Sequence, residues 1–225
     1  DRLFAYLRLD GDDNEAADKA LEKIESAGQP VVRYSLRDTF DLGAEIFRWQ
    51  FATAVAGHVL GVQPFDQPNV QRAKDMTDQE LARYYESGKA PIRRSVGSLS
   101  ELLSSASAGD YLAILAYVRE TPETSRALQH LRRTVLEQKR IATTLGYGPA
   151  FLHSTGQLHK GGPDSGMFLQ LTSQERLDLD IPGERYTLRL LLSAQATGDL
   201  GALQAVGRRV AREVVKSGDA ASLEL

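Results

Sequence analysis

Apolar and polar positions along this chain switch between a period of two and a period near 3.6, and the switches mark its elements. Leu3–Leu9 (LFAYLRL) is a short apolar run that stops at the turn-forming DGDDN, which predicts a strand. Glu15–Ala27 sets Ala17, Leu21 and Ile24 on one face and is followed by Gly28, predicting an amphipathic helix with that glycine as its C-cap. Val31–Leu36 reads as the next strand. Asp41–Leu60 carries Leu42, Ile46, Trp49, Ala52, Ala56 and Val59 at helical spacing, and predicts a helix buried on most sides with Trp49 in the core. Pro64 and Pro68 enforce a loop, after which a helix resumes near Asn69 and runs to about Glu86.

The next stretch, GKAPIRRSVGSLSELLSSASAGD, is rich in Ser, Gly and Arg and predicts a linker with one short helix at Ser98–Ser105. The order then recurs: strand Tyr111–Val118, helix Pro122–Lys139, strand Arg140–Leu145, a polar glycine-rich loop, and strand Met167–Thr172. Two helices, about Tyr186–Thr197 and Leu200–Lys216, are expected to close the chain. Alternating strands and helices predict an α/β fold, a parallel three-layer α/β/α sandwich with a second α/β unit. The expected division is 1–88, a linker at 89–109, and 110–225. Both halves run strand, helix, strand, long helices, the order of a degenerate internal repeat.

Composition changes the picture mainly by exclusion. At 42% hydrophobic and 25% charged residues the chain matches ordinary globular proteins. There is no cysteine, which excludes disulfides and thiolate chemistry and suits a reducing, cytoplasmic setting. A net charge of −3 offers no basic face for nucleic acid. No apolar run approaches the roughly 20 residues of a membrane span. The chain starts at Asp1 with neither Met nor a leader pattern, so a piece of a longer protein is expected.

Two segments carry chemistry. In Gly57–Lys74 (GHVLGVQPFDQPNVQRAK) the prolines stiffen a turn that presents Gln67 at the mouth of a helix, with Asn69 placed to cap it. Gln67 and the first helix amides can meet an anion, and Lys74 can hold a hydroxyl or phosphate oxygen as a point charge. On spacing alone, the same residues also describe a capped helix with a surface lysine. The second segment, Tyr147–Gly166 (YGPAFLHSTGQLHKGGPDSG), follows a strand and sets His153, Ser154, Thr155, Gln157, His159 and Lys160 among glycines. Amides and hydroxyls in such a loop can surround an anion, and His153 or His159 can act as a general acid or base near neutrality. The histidines are not at helical metal-ligand spacing and no carboxylate lies between them, so no metal site is expected. His58 reads as packed or at a boundary, and His130 and the arginine pairs Arg132/Arg133 and Arg208/Arg209 read as solvated. Arg93/Arg94, in the linker, could help to hold a phosphate.

The first segment resembles the C-terminal signature of glucose-6-phosphate isomerases. Gly57, Val59, Leu60, Phe65, Asp66, Gln67, Val70, Gln71 and Lys74 fit it, while Asn69 stands where the family usually has Gly or Ala. The stretch AFLHSTGQLHKGGPDSGMFLQLT resembles the C-terminal region of bacterial transaldolase–glucose-6-phosphate isomerase fusions. The resemblance implies a fold of the sugar-isomerase type and interconversion of glucose 6-phosphate and fructose 6-phosphate through an enediol, without a cofactor. It implies Gln67 and Lys74 at the sugar-phosphate site; joined to the chemistry of the loop, this makes Lys74, His153 and His159 the expected catalytic residues and Gln67, Gln71, Ser154, Thr155, Gln157 and Lys160 the expected substrate-binding ones. The family's proton-moving Glu has no match here, since Glu45 lies in the wrong motif. An upstream isomerase half, and a transaldolase domain in the same chain, are therefore the expected partners. A rival expectation is a non-catalytic sugar-phosphate-binding module, which would use Gln67 and the Ser/Thr loop without need of Lys74 or the histidines.

Overall fold

Tyr111–Tyr117 (YLAILAY) and Gly166–Ser173 (GMFLQLTS) are apolar on both strand faces, so each needs cover on both sides. The computed structural model describes residues 3–91, 94–173 and 178–215 and shows how the cover is supplied. The chain forms two compact units, Asp1–Asp66 and Gln67–Leu225. It is an α/β protein with parallel sheets.

In the first unit β1 (Phe4–Leu9) pairs in parallel with β2 (Val31–Leu36). The connection is α1 (Glu15–Ser26), after which Gly28 takes a left-handed φ of 78°. The unit continues with α2 (Asp41–Leu60), closed by left-handed Gly61. This helix is not buried on most sides as expected. Phe47 is 69% exposed, Phe51 64% and Val59 77%, and only Glu45 and Gly57 are buried. Its apolar residues are spread around the helix, so a single neighbouring layer covers only one stripe of them. Trp49 is also exposed, with its ring edge-on to Tyr34. His58 is exposed.

The second unit begins with α3 (Pro68–Ser87) and α4 (Leu99–Ser104), followed by β3 (Tyr111–Tyr117), α5 (Pro122–Lys139) and β4 (Ala142–Tyr147). A 3₁₀ turn (Ala150–His153), α6 (Gly156–Gly161), β5 (Gly166–Ser173), α7 (Leu188–Ala205) and β6 (Arg209–Val215) complete it. The four strands run parallel in the order β4-β3-β5-β6. Side chains alternate across the sheet. Leu112, Ile114, Met167, Leu169 and Leu171 pack with α4 and α5 on one face. Ala113, Leu115, Tyr117 and Phe168 pack with Phe151 and α7 on the other. This is a three-layer α/β/α arrangement within one unit. Among the described residues no helix is long and apolar enough to cross a membrane.

Several expectations change. The division falls after Asp66 and not at 88, because α3 packs along α7 through Leu81, Leu190 and Ala194. The short helix expected within 89–109 is present as α4, and it is not loosely attached. Ser98 caps α4 by accepting from the Glu101 amide, and Leu99, Leu102 and Leu103 are core residues. The second strand of the repeated order starts at Ala142, because Arg140 ends α5 in a left-handed conformation with φ 56°. The glycine-rich loop contains a 3₁₀ turn and a short helix. The two closing helices are one helix followed by strand β6. The two halves share a βαβ start, but α6 and β5 intervene before the long helix of the second.

The join of α3 and α7 rests on Gly198. A Cβ there would lie 2.8 Å from both the amide nitrogen and Oγ1 of Thr77, and 3.2 Å from the Met76 carbonyl carbon. Backbone cannot yield as a flexible side chain can. Gly198→Val is expected to lower stability by about 1–3 kcal/mol through overpacking. Urea unfolding against wild type measures this, and unchanged stability would mean that the helices do not meet there.

Candidate functional site

Pro68 occupies the first turn of α3, where its missing N–H is no loss, and Gln67 stands at the N-cap without a side-chain capping bond. The cap comes from elsewhere: the Asn69 amide donates to Gln157 Oε1 at 2.9 Å. Gln157, expected to bind substrate, is thus committed to joining α6 to α3. Gln67 is exposed, and Gln71 donates to Asp75 on its own helix. Neither lines the cavity described next.

A cavity of about 270 Å3 lies between α3, the 3₁₀ turn, α6 and α7. From α3 it receives Lys74, Thr77 and Asp78, from the 3₁₀ turn His153, and from α6 Lys160. Tyr186 and Gln195 close the α7 side, and Val70, Leu81, Leu152 and Leu191 supply apolar wall. The structure therefore brings Lys74 together with His153 and Lys160, from the second segment. Lys74, Asp78 and His153 are exposed, and among the described residues neither Lys74 nor Asp78 has an ion-pair or hydrogen-bond partner.

Lys160 touches the cavity wall, but its charge is engaged behind it. Lys160 Nζ lies 2.6 Å from Asp199 Oδ1, with side chains 1% and 0% exposed. The Tyr117 hydroxyl stands 3.4 Å from the other Asp199 oxygen. Burial pushes the Asp199 carboxyl above its ordinary range, while Lys160, Tyr117 and Arg212 act against that shift. Burial, then Asp199, lifts the Tyr117 phenol well above its usual value. The carbonyls that end α6 are held by Arg208, which donates to Lys160 and Gly162 and pairs with Asp164 at 2.9 Å. Arg209 pairs with Asp110 at 2.7 Å. These arginines are structural and not a solvated face, as is Arg132, which donates to Thr143. Arg133 and His130 are exposed, as is Arg94, while Arg93 lies outside the described residues.

His159, Ser154 and Thr155 also depart from expectation. His159 is buried against Phe151 and Phe168 and does not line the cavity. Desolvation, then the Lys160 charge, lowers its pKa to about 4, so it is neutral near pH 7. The Ser154 and Thr155 hydroxyls donate to the Phe151 carbonyl, a local turn contact in place of an anion. Thr77, Asp78, Tyr186 and Gln195 were not marked by the sequence. Desolvation first, then Glu184 and more weakly Asp78, raises the Tyr186 phenol.

In the first unit, the small residue that opens the signature has a steric reason. A Cβ on Gly57 would sit 2.7 Å from the Pro64 ring and 3.1 Å from the Val62 carbonyl oxygen.

No model of a protein family matches this chain, and no curated protein matches it. Among solved structures, it is similar to the crystal structure of a hypothetical protein from Thermus thermophilus, at 18% identity and a TM-score of 0.45. The match covers 86% of this chain and 48% of that one, so the chain spans about half the length of that structure.

His159 links stability to pH. Its folded pKa, about 4, lies below its ordinary 6.5, so the unfolded chain binds the proton first as pH falls. The stabilisation is complete above about pH 6.5 and is lost toward pH 4, amounting to about 3 kcal/mol. Unfolding free energies measured across that window should show this slope in wild type and lack it in His159→Leu. Equal slopes would mean that the ring is not held neutral.

Proposed function

We propose that this chain is the C-terminal part of a glucose-6-phosphate isomerase, of the kind fused behind a transaldolase and working in the cytoplasm. The observation that carries the reading is that Lys74, from the isomerase-like signature, and His153, from the fusion-like segment, line one cavity. Isomerisation needs an acid/base to open the sugar ring and a base to move a proton between C2 and C1 through an enediol. In this reading His153, whose imidazole lines the cavity, serves ring opening as the acid/base. Lys74 opposes negative charge on the sugar phosphate or the developing enediolate. The proton-moving Glu comes from an upstream isomerase half. The exposed apolar face of α2 supports such a partner, as does the neighbouring groove of Leu42, Ile46, Trp49 and Phe65. In that groove Glu45 is buried, and its Oε2 has no hydrogen-bond partner among the described residues. The rival reading as a passive binding module gains less, because the Ser154 and Thr155 hydroxyls are turned to the Phe151 carbonyl.

In the full isomerase, Lys74→Ala is expected to lower turnover roughly tenfold or more, about 1.4 kcal/mol of barrier per factor of ten, with little change in melting temperature. Wild-type turnover in that variant would remove Lys74 from the site. The 225-residue chain alone is expected to convert fructose 6-phosphate poorly. Robust conversion by it would place the base within this chain.

A further inference from the structure

The charges around the cavity do not count equally. Lys160 is neutralised by Asp199 at 2.6 Å, in a pair with almost no exposure. His159 is buried away from the cavity. Among the described residues that line it, the charged side chains left to meet a ligand are Lys74 and Asp78, one turn apart on α3, with His153 on the 3₁₀ turn. Lys74 and Asp78 are four residues apart, yet no ion pair joins them, and neither has another partner among the described residues. With Lys N-terminal to the acid, the order is the weaker one for pairing along a helix. Each is therefore available to a ligand. The same cavity is lined by Thr77, Tyr186 and Gln195, uncharged groups that donate or accept hydrogen bonds.

From this arrangement we infer that Asp78 is a specificity-determining residue, which makes the cavity select sugar monophosphates over bisphosphates. The inference rests on the reading of the cavity as a sugar-phosphate site. A phosphoryl group carries about −1.5 to −2 charges near pH 7. One such group is opposed by Lys74. The remainder of the ligand then lies against a carboxylate, which accepts hydrogen bonds from hydroxyls and cannot donate one. A sugar hydroxyl satisfies it, while a second phosphoryl group meets like charge. Rejection by an unfavourable pairing is an effective route to selectivity. The volume, about 270 Å3, lies near the small end of the roughly 300–1,000 Å3 usual for ligand sites.

The test is titration calorimetry on the 225-residue chain with fructose 6-phosphate, fructose 1,6-bisphosphate and inorganic phosphate as probes, since the cavity lies wholly within one unit. Wild type is expected to bind the monophosphate at least tenfold more tightly than the bisphosphate. In Asp78→Asn that preference should collapse, the monophosphate weakening and the bisphosphate holding or tightening, with inorganic phosphate unchanged. Asp78 is exposed, so melting should not shift. If Asp78→Asn keeps the preference while Lys74→Ala weakens both sugar phosphates, the inference about Asp78 is overturned and the site reading stands. If wild type binds none of the probes, the site reading fails and takes the inference with it.

Discussion

Strand β5 lies between two parallel neighbours and under helices on both faces, so its polar side chains must find partners inside the protein. Gln170 does so by donating to the Ala196 carbonyl at 2.9 Å and accepting from Arg212 Nε at 2.7 Å. Arg212 also donates to the Ala196 carbonyl, at 2.8 Å. This three-way contact joins β5, β6 and the middle of α7. Leaving any of these groups unpaired would cost about 1–3 kcal/mol, more for the guanidinium, so the register of α7 over the sheet is closely determined. The residues beside Ala196 then fall into place. Gln195 reaches the cavity, Gly198 admits the backbone of α3, and Asp199 meets Lys160 of α6. The walls of the cavity are thus located by a contact that is not part of it.

The Lys160–Asp199 pair is a different kind of contribution. Removing two charges from water costs several kcal/mol per ion, and mutual attraction offsets this only where geometry is good and further hydrogen bonds are made. Here the separation is 2.6 Å and Tyr117 provides an additional donor. Such a pair adds little net stability over a well-packed apolar one, but it tolerates few alternative arrangements. Its effect is on orientation, holding α6 to α7 and to the end of β3. It also removes a lysine from the charges a ligand can meet. Among the described residues, the two lysines at the cavity therefore differ: Lys160 is engaged by Asp199, while Lys74 is left open to a ligand.

Elements with explicit start and stop signals were legible from sequence. Val31–Leu36, Asp41–Leu60 and Pro122–Lys139 have the expected bounds, the last because Thr121 caps it and Pro122 suits its first turn. Lys74 and His153, singled out by a motif and by a glycine-rich setting, line one cavity. The failures have specific causes. Helices expected to stop at Thr197 and resume at Leu200 are one helix, in which the missing side chain of Gly198 makes room for Thr77. RVAREVV, expected within a helix, is strand β6, and the bond from Arg212 to buried Gln170 shows why Arg212 belongs in a strand. His159 looked reactive beside Lys160, but burial is a tertiary property that no local pattern carries. Asp78, four residues after a lysine on a helix, reads as an ordinary solvated charge until α6 and α7 close around it.

The isomerase-like signature runs across two mechanically different settings. Its first part, Gly57–Asp66, ends a unit whose sheet has two strands and whose long helix leaves Phe47, Phe51 and Val59 exposed. Two strands bury little apolar area, and a pair of this size is marginal without more cover. There the motif is held by close local contact, Gly57 against Pro64. Its second part, Gln67–Lys74, begins a unit with helices on both sides of a four-stranded sheet. The position of Lys74 follows from α3 resting on α7, and through it from Gln170, Arg212 and Ala196. Lys74 consequently keeps its place in the cavity whether or not the apolar face of α2 is covered. In the proposed reading, binding of a sugar phosphate is then separable from catalysis: the first rests on contacts within the second unit, and the second draws its proton-moving Glu from the proposed upstream half.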